Sequence, residues 1–180
     1  MLHVQKFTVA ALLAVLFLVF VVPQVGADLS KADEREVNNY QLTEKKLAQF
    51  GQATKNLVVL AQKNLKVWQK PPDVDEEDGG GLTKLAETFD KIPGVKKAVE
   101  DAGMTSREYW VFHLAMIYGA TGHIVLKSGG KLPEGYSRAN TEFFAKQEEA
   151  FKAVDKDLKV LQELSQQIER DEEAEEEEQE

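Results

Sequence analysis

TSREYWVFHLAMIYGATGHIVL, running from Thr105 to Leu126, is the stretch that decides the fold. Its first four residues form a capping box, in which the Thr105 hydroxyl accepts from the helix's third residue and Glu108 can reach back, with Met104 and Tyr109 at the positions of a hydrophobic staple. From Tyr109 onward the run is apolar nearly all round, broken only by His113, Gly119, Thr121, Gly122 and His123. A helix apolar on every side belongs in the middle of a bundle. At 100° per residue Ala115, Gly119 and Gly122 share one narrow seam, which predicts close approach of a neighbouring helix or space for a ligand, packing being the commoner use. The interruptions, and the lack of a long apolar flank, make a membrane span the weaker reading.

Two short faces lie upstream, Leu82, Leu85 and Phe89 and then Val95, Ala98, Val99 and Ala102, separated by Ile92-Pro93-Gly94. They read as a bent helical connector laid over the core, with Gly103 as its left-handed end. Further upstream Leu47, Phe50, Thr54, Leu57, Val58, Ala61, Leu65 and Trp68 recur at three- and four-residue spacing, an amphipathic helix capped at Thr43, stapled by Leu42 and Leu47, and stopped by Pro71-Pro72. Downstream, a helix of about thirty residues starts near Ser137 or Asn140. Its heptad-like stripe of Phe144, Gln147, Phe151, Val154, Leu158, Leu161, Ser165 and Ile168 is suited to packing against the Leu47–Trp68 helix. The expected fold is all-α, a four-helix-type bundle with a bent helical connector, preceded by a signal peptide.

The signal peptide is read from residues 1–27. Lys6 gives a basic start, Phe7 to Val22 is apolar apart from Thr8, and Val25-Gly26-Ala27 offers a small-residue cleavage pattern after Pro23. Cleavage near Ala27-Asp28 predicts an exported protein, periplasmic or secreted, that meets the membrane only through this segment during export. A kept anchor is the alternative, and its apolar span falls short of the roughly 20 residues a spanning helix needs. The chain has no cysteine, which excludes a cysteine-linked lipid, disulfides, thiolate catalysis and covalent c-type haem attachment.

Residues 28–41 are polar and weakly periodic and read as a flexible lead-in. The helical domain is expected over 42–170, with an acidic Pro/Gly linker inside it at 71–81, and 171–180 read as a disordered acidic tail whose eight carboxylates repel one another. The whole chain carries −9, but without the signal peptide and the tail its body is close to neutral at −2. No concentrated basic face stands out, so nucleic acid is not an expected partner. Asp73, Asp75 and Glu77 fail as a calcium loop, because Lys84 or Ala86 falls where a bidentate Glu belongs.

No catalytic constellation emerges. Ser128-Gly129-Gly130-Lys131 is too short and wrongly ordered for a P-loop, and no Gly-x-Ser-x-Gly occurs. His113 and His123 lie about 15 Å apart along one helix, too far to chelate one metal together, and no Glu-x-x-His pair stands near them. No metal site or cofactor is therefore expected. A lone histidine in an apolar helix is usually a core residue. The functional alternative places a noncovalent haem, a metal or a pH-sensitive contact at His113 or His123. Candidate ligand-binding residues are His113, Tyr109, Phe112, Met116 and His123, with Tyr118 beside them. The leading expectation is a non-enzymatic exported protein that binds another protein or a small apolar ligand through the seam or the side of the central helix.

The segments Gln41-Leu42-Thr43-Glu44-Lys45-Lys46-Leu47 and Asp101-Ala102-Gly103-Met104-Thr105-Ser106-Arg107-Glu108-Tyr109 resemble those of a group of exported bacterial all-helical proteins with no assigned activity. The resemblance implies a bacterial, periplasmic helical protein, and no chemistry.

Overall fold

The computed structural model describes residues 29–63 and 81–177. The signal segment, the stretch from 64 to 80 that holds Trp68 and most of the linker, and residues 178–180 lie outside them. Every regular element among the described residues is a helix: α1 Lys31–Asn39, α2 Glu44–Lys63, α3 Gly81–Lys91, α4 Val95–Glu100, α5 Ser106–Lys127, α6 Arg138–Lys146 and α7 Glu148–Glu177. The chain is all-α.

α5 is the centre. Its N-cap forms as the capping box requires, Thr105 Oγ1 accepting from Glu108 N–H at 3.1 Å, and Met104 and Tyr109 are both buried. Gly103, at φ 80°, makes the left-handed turn before it. By length and composition α5 is apolar enough to cross a membrane, yet half of its most apolar stretch is buried by the other helices. α1, α2, α3, α4 and α6 all pack on it.

α2 lies between α5 and α7. Leu47, Phe50, Ala53, Thr54, Leu57 and Ala61 are its buried stripe, and Phe50 stacks on both Tyr109 and Phe112 at 4.6 Å. Phe151, Val154, Leu158 and Leu161 of α7 complete the core. Two amides of α2 fasten α4 and the turn after it: Asn56 Nδ2 donates to Ala98 O at 2.8 Å and Gln49 Nε2 to Gly103 O at 2.9 Å.

The small-residue seam serves packing. A methyl on Gly122 would stand 2.5 Å from Thr141 Oγ1 and 2.8 Å from Leu132 Cδ1, and one on Gly119 3.1 Å from Asn140 O. α6 fills the space that the alternative reading left for a ligand.

At three places the helices run differently from the sequence pattern. The lead-in of 28–41 carries α1, with Ser30 as its cap and Val37 buried; its period is weak because polar contacts with distant residues hold it. The thirty-residue last helix is broken at Gln147, whose N–H bonds to Phe143 O and Phe144 O. Phe144 stacks on Phe151 at 4.7 Å and Phe143 meets the same ring edge-on. Gln147 itself donates to Glu44 Oε1 at 2.9 Å, so tertiary contacts make a break that no proline or glycine announces. Finally, the backbone of α7 stays helical to Glu177, well into the tail expected to be disordered; glutamate is a good helix former and extending an existing helix is cheap.

Candidate functional site

The five candidate residues do not come together. Tyr109 and Phe112 are core residues, Tyr109 between Phe50 and Phe89 and Phe112 fully buried against Phe50. Met116 is buried one turn further on. Tyr118 leaves the group altogether and stacks on Tyr136 at 5.0 Å. His123 is half-buried near the far end of α5, 6.1 Å from the Phe144 ring.

His113 is 5% exposed. Its ring lies 5.7 Å from Phe50, 6.4 Å from Tyr109 and 5.9 Å from Trp110, the last nearly parallel at 11°. Its Nε2 and the Nε1 of Trp110 are buried without a hydrogen-bond partner. Burial alone pushes the His113 pKa down to about 4, so the imidazole is neutral at physiological pH. The neighbouring phenol of Tyr109 is pushed up to about 12, again by burial, which the contact with Thr54 at 3.3 Å only partly offsets.

A concavity opens instead at the start of α5. It encloses about 310 Å³ and is lined by Thr83, Ala86, Glu87 and Asp90 of α3, Lys96 and Glu100 of α4, and Thr105, Ser106 and Arg107. Ser106 is buried and donates its hydroxyl to Asp90. Arg107 forms the wall: Nη1 donates to Thr83 Oγ1 at 2.7 Å, and Nη2 to Asp33 Oδ1 at 2.8 Å and Glu36 Oε2 at 2.6 Å. These bonds, those to Glu36 foremost, raise its pKa above the ordinary arginine value despite partial burial.

Asp33 is the buried end of this clasp. Burial would raise its pKa, but bonds from Ser30, Arg107 and the Leu82 N–H outweigh that and hold its carboxyl below the usual range. Gly81, at φ 51°, gives the carboxylate room beside the first turn of α3. A second tie lies on the far side of the helix start, where Glu108 Oε1 receives Tyr40 Oη at 3.1 Å and the ammonium of Lys46. Burial and the Glu108 carboxylate raise the Tyr40 pKa.

In the sequence Thr105–Arg107 reads as a helix cap and not as the wall of a cleft. One signal was available: Arg107 puts a cation in the first turn of a helix, against the helix dipole, which calls for nearby carboxylates. The Ser-x-x-Lys spacing of Ser128 and Lys131, shared with serine acyl-enzymes, falls in the exposed turn after α5, where Ser128 Oγ donates to Val125 O at 2.9 Å.

Ser106 meets a carboxylate and no imidazole, since His113 is two turns up the helix, about 10 Å along its axis, and buried. No group of three or more His, Asp or Glu side chains that could hold a metal occurs among the described residues. No family model, curated protein or solved structure matches the chain.

Proposed function

We propose that the chain is an exported, non-enzymatic helical protein that binds a partner at the cleft between α3, α4 and the start of α5. The observation behind this reading is the contrast between the two candidate surfaces. Tyr109, Phe112 and His113 of α5 are taken up in the core and the seam is filled by α6, whereas the cleft stays open with carboxylates and an ammonium on its rim. Its volume is at the lower end of the range of small-molecule sites. Charges of both signs on the rim of a mostly apolar floor suit a guest with a small apolar body that bears both an ammonium and a carboxylate, such as a peptide terminus.

The architecture proposed with it is a four-helix-type bundle of α2, α5, α6 and α7, the connector being α3 and α4. The signal segment would be cleaved near Ala27-Asp28 and the product released to the periplasm or the medium. Mass spectrometry of the chain from its producing cell tests this directly: a mature protein starting at Asp28 is expected, and one still starting at Met1 in the membrane fraction overturns export by cleavage.

For binding, the test is amide chemical-shift mapping with short zwitterionic peptides. Shifts at Ala86, Asp90 and Ser106, weakened by Lys96→Glu, are expected; shifts confined to other surfaces, or none, overturn the site. A second reading, a noncovalent haem or metal at His113 or His123, rests on the unpaired Nε2 of His113. It predicts a Soret band or stoichiometric metal in the purified chain, and absence of both removes it.

A further inference from the structure

Among the described residues, Arg107 alone both lines the cleft and bonds to α1. Four of its five N–H groups are spent: Nε and Nη2 on Glu36 at 3.3 and 2.6 Å, Nη2 also on Asp33 at 2.8 Å, and Nη1 on Thr83 at 2.7 Å. Two carboxylates thus face one guanidinium, and Arg107 brings no net positive charge to the wall it forms. Asp33 also accepts the Leu82 N–H at 3.4 Å through its other oxygen, so one side chain of α1 ties both walls of the cleft, α3 and α5, together.

The face of α3 toward the start of α5 carries Thr83, Glu87 and Asp90, four and then three residues apart, a spacing that sets them one above another along the helix. Its two ends are engaged, Thr83 by Arg107 and Asp90 by the hydroxyl of the buried Ser106. Glu87 between them is exposed, lines the cleft and has no hydrogen bond or ion pair among the described residues. It stands one turn, about 5.4 Å, along α3 from Thr83, which Arg107 already touches. A guanidinium released from α1 therefore has an unpaired carboxylate within reach.

We propose that α1 keeps the cleft open to a guest ammonium: with Asp33 and Glu36 neutralising Arg107, Glu87 is left free for the guest, and when α1 lifts off, the guanidinium swings to Glu87 and shuts the guest out. This rests on the cleft being the binding site proposed above. The free chain favours the docked arrangement, in which the guanidinium meets two carboxylates instead of one. A guest that binds this arrangement better than the other stabilises α1 by the same factor by which α1 strengthens the guest, so binding and docking are reciprocal.

The experiment uses the full chain and the dipeptide alanyl-alanine, small and zwitterionic, titrated by amide shifts at Ala86, Asp90 and Ser106 and paired with hydrogen exchange of the α1 amides. Saturating dipeptide is expected to slow α1 exchange, and Asp33→Asn with Glu36→Gln to weaken the dipeptide roughly 5–10-fold. Adding Arg107→Gln to that variant should restore the affinity, because the competitor for Glu87 is gone; a cleft that merely lost its shape with α1 is not rescued in this way. If the double variant does not fold, Glu36→Gln alone, at an exposed residue, serves with a smaller weakening that Arg107→Gln again reverses. Dipeptide bound in the cleft with α1 exchange unchanged, an affinity unmoved by the α1 substitutions, or a weakening that Arg107→Gln does not reverse overturns the coupling and leaves the binding site standing. No shifts in the cleft at all overturn both.

Discussion

The two halves of α5 solve the same problem in opposite ways. From Ser106 to Met116 the helix reaches its neighbours with large rings, stacking on α2 and α3, and its first turn is tied to α1, α2 and α3 by Arg107 and Glu108. From Ile117 to Lys127 it reaches α6 by removing side chains, with Gly119 and Gly122 against Asn140 and Thr141. One half depends on side chains being present and the other on their being absent. Mutations should therefore hurt in opposite senses, truncation at one end and enlargement at the other.

The largest effect is expected from Phe112→Ala, which empties a fully buried site beside Phe50. It should cost about 3–5 kcal/mol, read as a lower urea midpoint with an unchanged slope. A loss under about 1 kcal/mol would mean that the ring half is loosely packed and the contrast is false. Next comes Gly122→Val, which forces methyls into Thr141 and Leu132; about 1–3 kcal/mol is expected from overpacking. If that variant is instead stabilised, as helix propensity alone would favour, the far half has spare room.

The clasp at the ring end gives a smaller, pH-dependent effect. Asp33→Asn should cost about 1–2 kcal/mol at pH 7. Asp33 is depressed in the folded chain, so its contribution is present above about pH 3.8 and lost as pH falls through the lower folded value. Denaturation curves of variant and parent should therefore converge in strong acid, and a constant gap at all pH values would show that the carboxylate's charge is irrelevant. The smallest effect is reserved for Lys97→Ala, which removes an exposed pair with Asp101 on α4, away from both halves. No measurable change in midpoint is expected, and a clear loss would mean that this exposed pair helps hold α4 beside the buried Val95 and Val99.

Much of this contrast is legible in the sequence. The capping box at Thr105, the stop at Gly103, the staple at Leu42 and Leu47 and the seam of Gly119 and Gly122 are local or periodic signals, and local physics reads them correctly. The elements that escape are those held from far away. α1 owes its place to Arg107, and Asp33 is useful only because Leu82 and Arg107 arrive beside it. The break at Gln147 answers to Phe151 and Glu44. The candidate residues chosen for chemistry, His113 above all, were visible as unusual, but an apolar helix gives no sign of which rings will close around them. The cleft combines residues of three helices, and only the misplaced charge of Arg107 hinted at it.

Asn140 sets a timetable. Its side chain donates to Tyr40 O at 2.7 Å and accepts from Leu42 N–H at 3.0 Å, closing the α1–α2 junction from about a hundred residues downstream. α1 thus waits for an element near the other end of the chain before it can settle, because contacts so distant in sequence are slow to form. An incomplete chain ending before residue 140 should leave the α1–α2 junction open to proteases, and the amides of residues 31–42 should gain protection in one late kinetic step.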